Sequence, residues 1–150
     1  MALEERMTEE LATQYYKGGI DCSQVVFAHA AALLDMDEEQ ALKIAAAFGG
    51  GMMNGERCGC VTGALMALGA EYGHCELYDE EAKQKMMEIK AEFERRFKEH
   101  EITNGSVLCR EILGYKIPED MPAIMKENLL MKTCPKLAVI ACDILDEMIQ

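Results

Sequence analysis

Residues 58–72 read Cys58-Gly59-Cys60-Val61-Thr62-Gly63-Ala64-Leu65-Met66-Ala67-Leu68-Gly69-Ala70-Glu71-Tyr72. Gly59, Gly63, Ala67 and Ala70 recur at steps of three and four, the spacing of one helix face. Because almost nothing projects from that face, a second helix can approach its backbone closely. The stretch therefore predicts a helix packed against other helices.

Upstream, Leu3, Met7, Leu11 and Tyr15 fall four apart and predict a first helix over Leu3 to Tyr16, ended by Gly18-Gly19. Asp21 can accept from the free amides of a second helix running to about Leu34, and Asp35 or Asp37 can cap a third through Phe48. Gly49, Gly50, Gly51 and Gly55 then interrupt the pattern. Downstream, Asp79 to about His100 presents Ala82, Met86, Ile89, Phe93 and Phe97 on one stripe, with Glu81/Lys85, Glu92/Arg96 and Glu94/Lys98 outside it.

Asn104-Gly105-Ser106 marks a turn before a short helical stretch ending near Gly114. Pro118 to Leu130 reads as a less regular connection with room for one more helix. A last helix is expected to begin at Cys134-Pro135, where proline suits the first turn, and to bury Leu137, Ile140, Ala141, Ile144 and Met148. No repeat, low-complexity tract or convincing strand interrupts this pattern. The expectation is an all-α protein, a compact single-domain bundle of about six or seven helices spanning residues 1–150.

At 150 residues the chain has the length of one domain. Its apolar half is mostly Ala, Leu, Met and Ile without Trp, a balance that suits helix packing. A formal charge of -12 argues against nucleic acid, which needs a cationic footprint, and against an anionic membrane surface. The acidic stretch Met1 to Glu10 lacks the basic start and apolar run of an export signal, and no apolar stretch reaches the roughly 20 residues that span a bilayer. A cytoplasmic location without membrane insertion is the expectation.

Seven cysteines in such a compartment point to a metal site or redox-active thiols rather than a disulfide framework. Cys22 follows the expected cap Asp21, Cys58 follows the glycine loop, Cys109 lies three residues after Ser106, and Cys134 precedes Pro135. All four fall at or near expected helix starts, where free amides and the positive dipole end favour thiolate. No C-x-x-C pair occurs, so the spacing is no zinc-finger or ribbon signature. If the chain is already helical at Cys58, two steps of roughly 100° put the Cys58 and Cys60 sulfurs on opposite faces. Cys58 continues the face of Val61, Leu65 and Leu68 and is the favoured sulfur, with Cys60 in reserve.

Cys142 reads as a core residue, Cys75 beside His74 as a loop residue facing solvent, and His29 as a core or rim histidine. The glycine loop lacks the Lys-Ser/Thr of a phosphate loop. It is either a flexible connection or a backbone wrapped closely around a bound centre, with free amides facing sulfur.

These residues together resemble the redox-active family called C_GCAxxG_C_C. The early cysteine corresponds to Cys22 in Asp21-Cys22-Ser23-Gln24, and the central motif to Phe48-Gly49-Gly50-Gly51 through Cys58-Gly59-Cys60-Val61-Thr62-Gly63-Ala64. The later two correspond to Cys109 and Cys134. Members commonly read Cys-Gly-Ala-x-x-Gly, and this chain carries Cys60 in the alanine place. A related domain in split-Soret cytochromes carries an iron-sulfur centre, so the resemblance implies that Cys22, Cys58, Cys109 and Cys134 ligate one small cluster, such as [2Fe-2S], in a protein that exchanges electrons with a redox partner.

Two alternatives stand beside it. One is a metal-free thiol-disulfide oxidoreductase or redox sensor, pairing for example Cys22 with Cys58. The other is a helical binding or structural module with a four-cysteine zinc site or no metal. The small-residue face from Gly59 to Ala70 could serve a helix interface within one chain or in a homodimer.

Overall fold

The computed structural model describes residues 6–149 and is all-α, with eight α-helices among the described residues. They are α1 (Glu9–Lys17), α2 (Cys22–Leu33), α3 (Glu38–Ile44), α4 (Gly59–Tyr72), α5 (Glu80–Lys98), α6 (Cys109–Leu113), α7 (Met121–Lys126) and α8 (Leu129–Met148). No described helix is long and apolar enough to cross a membrane.

The central packing is α2 on α4, and glycine permits it. A Cβ at Gly63 would lie 2.5 Å from the Ser23 carbonyl oxygen, and one at Gly59 would lie 2.3 Å from the Cys22 sulfur. Both distances are far inside van der Waals contact, so the small-residue face lets α2 lie against bare backbone. Helices α1, α5 and α8 surround this pair. The main core holds Val25, Val26, Ala28, Val61, Leu68, Phe93, Phe97, Leu137, Ala141 and Leu145. A smaller cluster of Cys109, Leu113, Ile117 and Ile124 lies under α6 and α7.

Several element ends differ from the sequence expectation, each for a local reason. Helix α1 starts at Glu9 because Thr8 Oγ1 accepts from the Leu11 amide at 3.1 Å; Leu3 lies outside the described residues. Helix α3 stops at Ile44, four residues before Phe48. The Ala45 carbonyl is taken by the buried Ser23 hydroxyl at 2.8 Å, and the chain then turns into the glycine loop. Helix α8 begins at Leu129, so Pro135 sits inside it and Cys134 is not at a helix start. The proline costs one backbone hydrogen bond, because it has no N–H to offer the carbonyl four residues back.

Helix α5 buries Met86, Phe93 and Phe97, as its stripe predicts, and Asp79 caps it at the Ala82 amide. Its charged face is only partly a solvated one. Arg96 reaches Glu92 at 2.8 Å, but Glu94 pairs with Lys90 at 2.8 Å and with Arg57 at 2.5 Å rather than with Lys98.

Candidate functional site

A cavity of about 220 Å³ lies at the seam between the two apolar clusters. Five cysteines line it: Cys22, Cys58, Cys60, Cys109 and Cys134. All are free thiols. Tyr16, Ile112, Leu113, Ile117 and Leu137 contribute apolar wall, and Met53, Met121 and Met131 also face it. Cys75 is exposed, and Cys142 is buried without reaching the cavity.

Each sulfur arrives by a different route. Cys22 is the first residue of α2, and the preceding Asp21 amide donates to Gln24 Oε1 at 2.9 Å, which fixes the helix start. Cys58 is the residue before α4 and has an extended backbone (φ -52°, ψ 135°). The helical condition that would send Cys58 and Cys60 to opposite faces therefore does not hold, and both reach the cavity. Cys109 is held beside Cys58 by a short antiparallel bridge between Arg57 and Leu108. In it the Cys58 amide donates to the Val107 carbonyl at 2.7 Å and the Cys109 amide to the Glu56 carbonyl at 2.6 Å. Cys134 comes from within α8, one residue before the proline, and its carbonyl accepts from the Tyr16 hydroxyl at 3.3 Å.

The glycine loop has a specific form. Gly50, Gly51, Met52 and Met53 all have φ between 56° and 64°, four consecutive left-handed residues. Methionine in that region costs roughly 1–2 kcal/mol per residue, a strain tolerated where surrounding structure over-determines the backbone. The loop delivers the Gly50 amide to the Cys22 sulfur, and the Ser23 amide donates to the same atom. The loop thus places one of its amides, that of Gly50, on sulfur.

Electrostatics separate the five thiols. The Cys60 thiol hydrogen-bonds Cys22 and, with the Gly50 and Ser23 amides, lowers Cys22 to about 7 against an opposing burial effect. Cys60 moves the other way and is pushed well up, because its single S–H lies within hydrogen-bonding reach of both Cys22 and Cys58 in a buried place. The pair thus releases one proton readily and keeps the second. Burial raises Cys109 to about 12 and raises Cys134 strongly, with neighbouring thiols adding to both. Helix-start placement therefore predicts the direction for Cys22 and fails for Cys109, where a five-residue helix offers too little dipole to offset desolvation.

Tyr16 is the contributor that sequence reasoning misses. Its phenol is pushed well above its ordinary range by burial and by Cys60, Cys22, Cys134 and Cys58 around it. The four-residue spacing of the first helix selects Tyr15 for the buried stripe, and nothing in the sequence marks the next residue. His29 is buried, with Nε2 at 2.8 Å from Asp146 Oδ1, and does not line the cavity. Among the described residues no group of three or more His, Cys, Asp or Glu is arranged to hold a single metal ion.

A family profile described as "Putative redox-active protein (C_GCAxxG_C_C)" matches residues 20–148. The chain belongs to this family. The matched span begins just before Cys22 and contains all five cavity cysteines. No curated protein and no solved structure matches the chain.

Proposed function

We propose that this C_GCAxxG_C_C protein carries its redox activity on an iron-sulfur cluster, of the [2Fe-2S] type, held in the cavity by Cys22, Cys58, Cys109 and Cys134. The observation that carries this reading is the meeting of thiols from four separate segments around one apolar space of about 220 Å³. Such a wall suits a centre of several atoms, with ligands spread over more than one metal. The donor set also fits chemically. Buried thiols such as Cys109 and Cys134 hold their protons unless a cation compensates the charge, and a cluster supplies that cation.

When bound, such a group supplies one-electron transfer. The chain's own residues would do the rest. Gly50 and Ser23 amides donate to the Cys22 sulfur and stabilise its negative charge. The absent Cβ at Gly59 keeps α4 backbone against that sulfur. Leu113, Ile117 and Leu137 restrict water, which sets the potential through the local dielectric. In this reading the protein works in the reducing cytoplasm and passes electrons to a protein partner.

Anaerobic purification or reconstitution tests the proposal directly. Iron and acid-labile sulfide in about equal amounts, with visible absorption that Cys22→Ser, Cys58→Ser, Cys109→Ser and Cys134→Ser each remove, are expected. Colourless, iron-free protein after careful reconstitution would refute it, and stoichiometric zinc without a redox response would select the zinc alternative.

A further inference from the structure

Cys60 stands apart from the four-cysteine set. It is fully buried on the cavity wall and its thiol contacts Cys22. The contact joins two helices whose separation is fixed. The Cys22 sulfur lies against the backbone of Gly59, the residue before Cys60, and Ser23 lies against Gly63 one turn further on. The two thiols already lie within hydrogen-bonding reach of each other. Both residues line the cavity, Cys22 at intermediate burial and Cys60 fully buried.

We propose that Cys22 and Cys60 form a peroxide-reducing thiol pair in the cluster-free protein, with Cys22 the attacked sulfur and Cys60 the resolving one. The Cys22 sulfur attacks one oxygen of hydrogen peroxide and the O–O bond breaks. This gives Cys22 sulfenic acid, and the other oxygen leaves as water. The Cys60 sulfur then attacks the sulfenic sulfur, the S–O bond breaks, a second water leaves, and a Cys22–Cys60 disulfide remains. Two thiols are oxidised and one peroxide is reduced to two waters. A cavity of about 220 Å³ admits peroxide, since one water claims roughly 30 Å³ of liquid.

Cys58 also contacts Cys60 but is a poorer partner. The two are separated by one glycine at the start of α4, and a bridge between them would have to distort that helix start. The pairing does not depend on the cluster reading, because it concerns a chemistry open to the thiols when no metal occupies them.

The test uses full-length, freshly reduced, metal-free protein, one equivalent of hydrogen peroxide, alkylation of remaining thiols, and peptide mapping. The expected result is loss of two thiols per peroxide and a linked pair of peptides carrying Cys22 and Cys60, reversed by dithiothreitol. In Cys60→Ala, one thiol is lost and Cys22 is trapped as sulfenic acid by dimedone. A Cys22–Cys58 or Cys58–Cys60 link, a link between chains, or Cys22 left unoxidised would each overturn the assignment. Metal loading of Cys60→Ala is read separately by iron and sulfide content, so failure of the cluster reading leaves this result interpretable.

Discussion

Replacing Gly63 by alanine sets two known effects against each other, and the structure decides the winner. Within a helix the change from glycine favours folding by about 1 kcal/mol. At Gly63 the new methyl would sit 2.5 Å from the Ser23 carbonyl oxygen and 3.2 Å from its carbonyl carbon and Cα. The obstacle is backbone, which has no rotamer to escape into, so α2 and α4 must part by several tenths of an ångström. Overpacking of this kind costs roughly 1–3 kcal/mol, and rigid contact places it near the upper end. Gly63→Ala is therefore expected to destabilise by about 2 kcal/mol. Gly69 lies on the same helix with nothing within 4 Å of its would-be Cβ, so Gly69→Ala should stabilise by about 1 kcal/mol. The propensity gain is common to both, so their difference, about 3 kcal/mol, isolates the close approach. Urea midpoints or thermal unfolding would measure it, at roughly 2–4 °C per kcal/mol for this size. Equal stability of the two variants would refute the claim that α2 rests on the Gly63 backbone.

Metal-free protein should lose stability as pH falls from 9 through 7, because Cys22 ionises at about 7 when folded against 9.0 ordinarily, and its contribution is present above the upper value and lost below the lower one. Above pH 9 the sign reverses. Cys109, held at about 12, stays protonated when folded while the unfolded chain ionises, so stability falls again; denaturant midpoints across pH 6–11 would show the maximum. Tyr16→Phe removes the hydroxyl donated to the Cys134 carbonyl and should cost about 1 kcal/mol by the same assay. Met53→Gly relieves a left-handed methionine that is 56% exposed, so it should stabilise by roughly 1 kcal/mol in urea unfolding, with little apolar burial lost.

The helices were legible because their signals are local. Asp37 and Asp79 cap where side-chain oxygen can reach a free amide, and the Met86–Phe93–Phe97 stripe repeats at helical spacing, whereas the Thr8 cap that starts α1 at Glu9 went unmarked. The small-residue face of α4 also announced a close partner, though not which helix supplies it. Illegible features depend on neighbours distant in sequence. Pro135 reads as a helix start, yet the chain keeps helical geometry from Leu129 and runs through it. Glu94 has Lys98 one turn away but turns to Arg57, which the bridge to Leu108 brings alongside. The cysteines illustrate both cases. Their chemistry could be suspected from number and placement, whereas the meeting of all five depends on the glycine loop, the Arg57–Leu108 bridge and the α2–α4 contact acting together.

The pKa ordering within the cavity bears on why the wall is built from so many parts. A thiol that meets a neighbouring S–H and two amides can hold a single negative charge, and Cys22, beside Cys60, Gly50 and Ser23, has that environment. A second charge in the same apolar space is resisted, as Cys60, Cys109 and Cys134 all show by moving upward. Without a bound cation these thiols favour one thiolate among protonated neighbours, the charge state suited to thiol oxidation. Binding a cationic centre reverses the balance, since each added thiolate then meets positive charge instead of another anion. Occupancy of the cavity would thus choose between the two chemistries proposed for it. Proton release on metal loading measures that choice: near-neutral loading should expel more than one proton per chain, whereas thiols already ionised would release almost none.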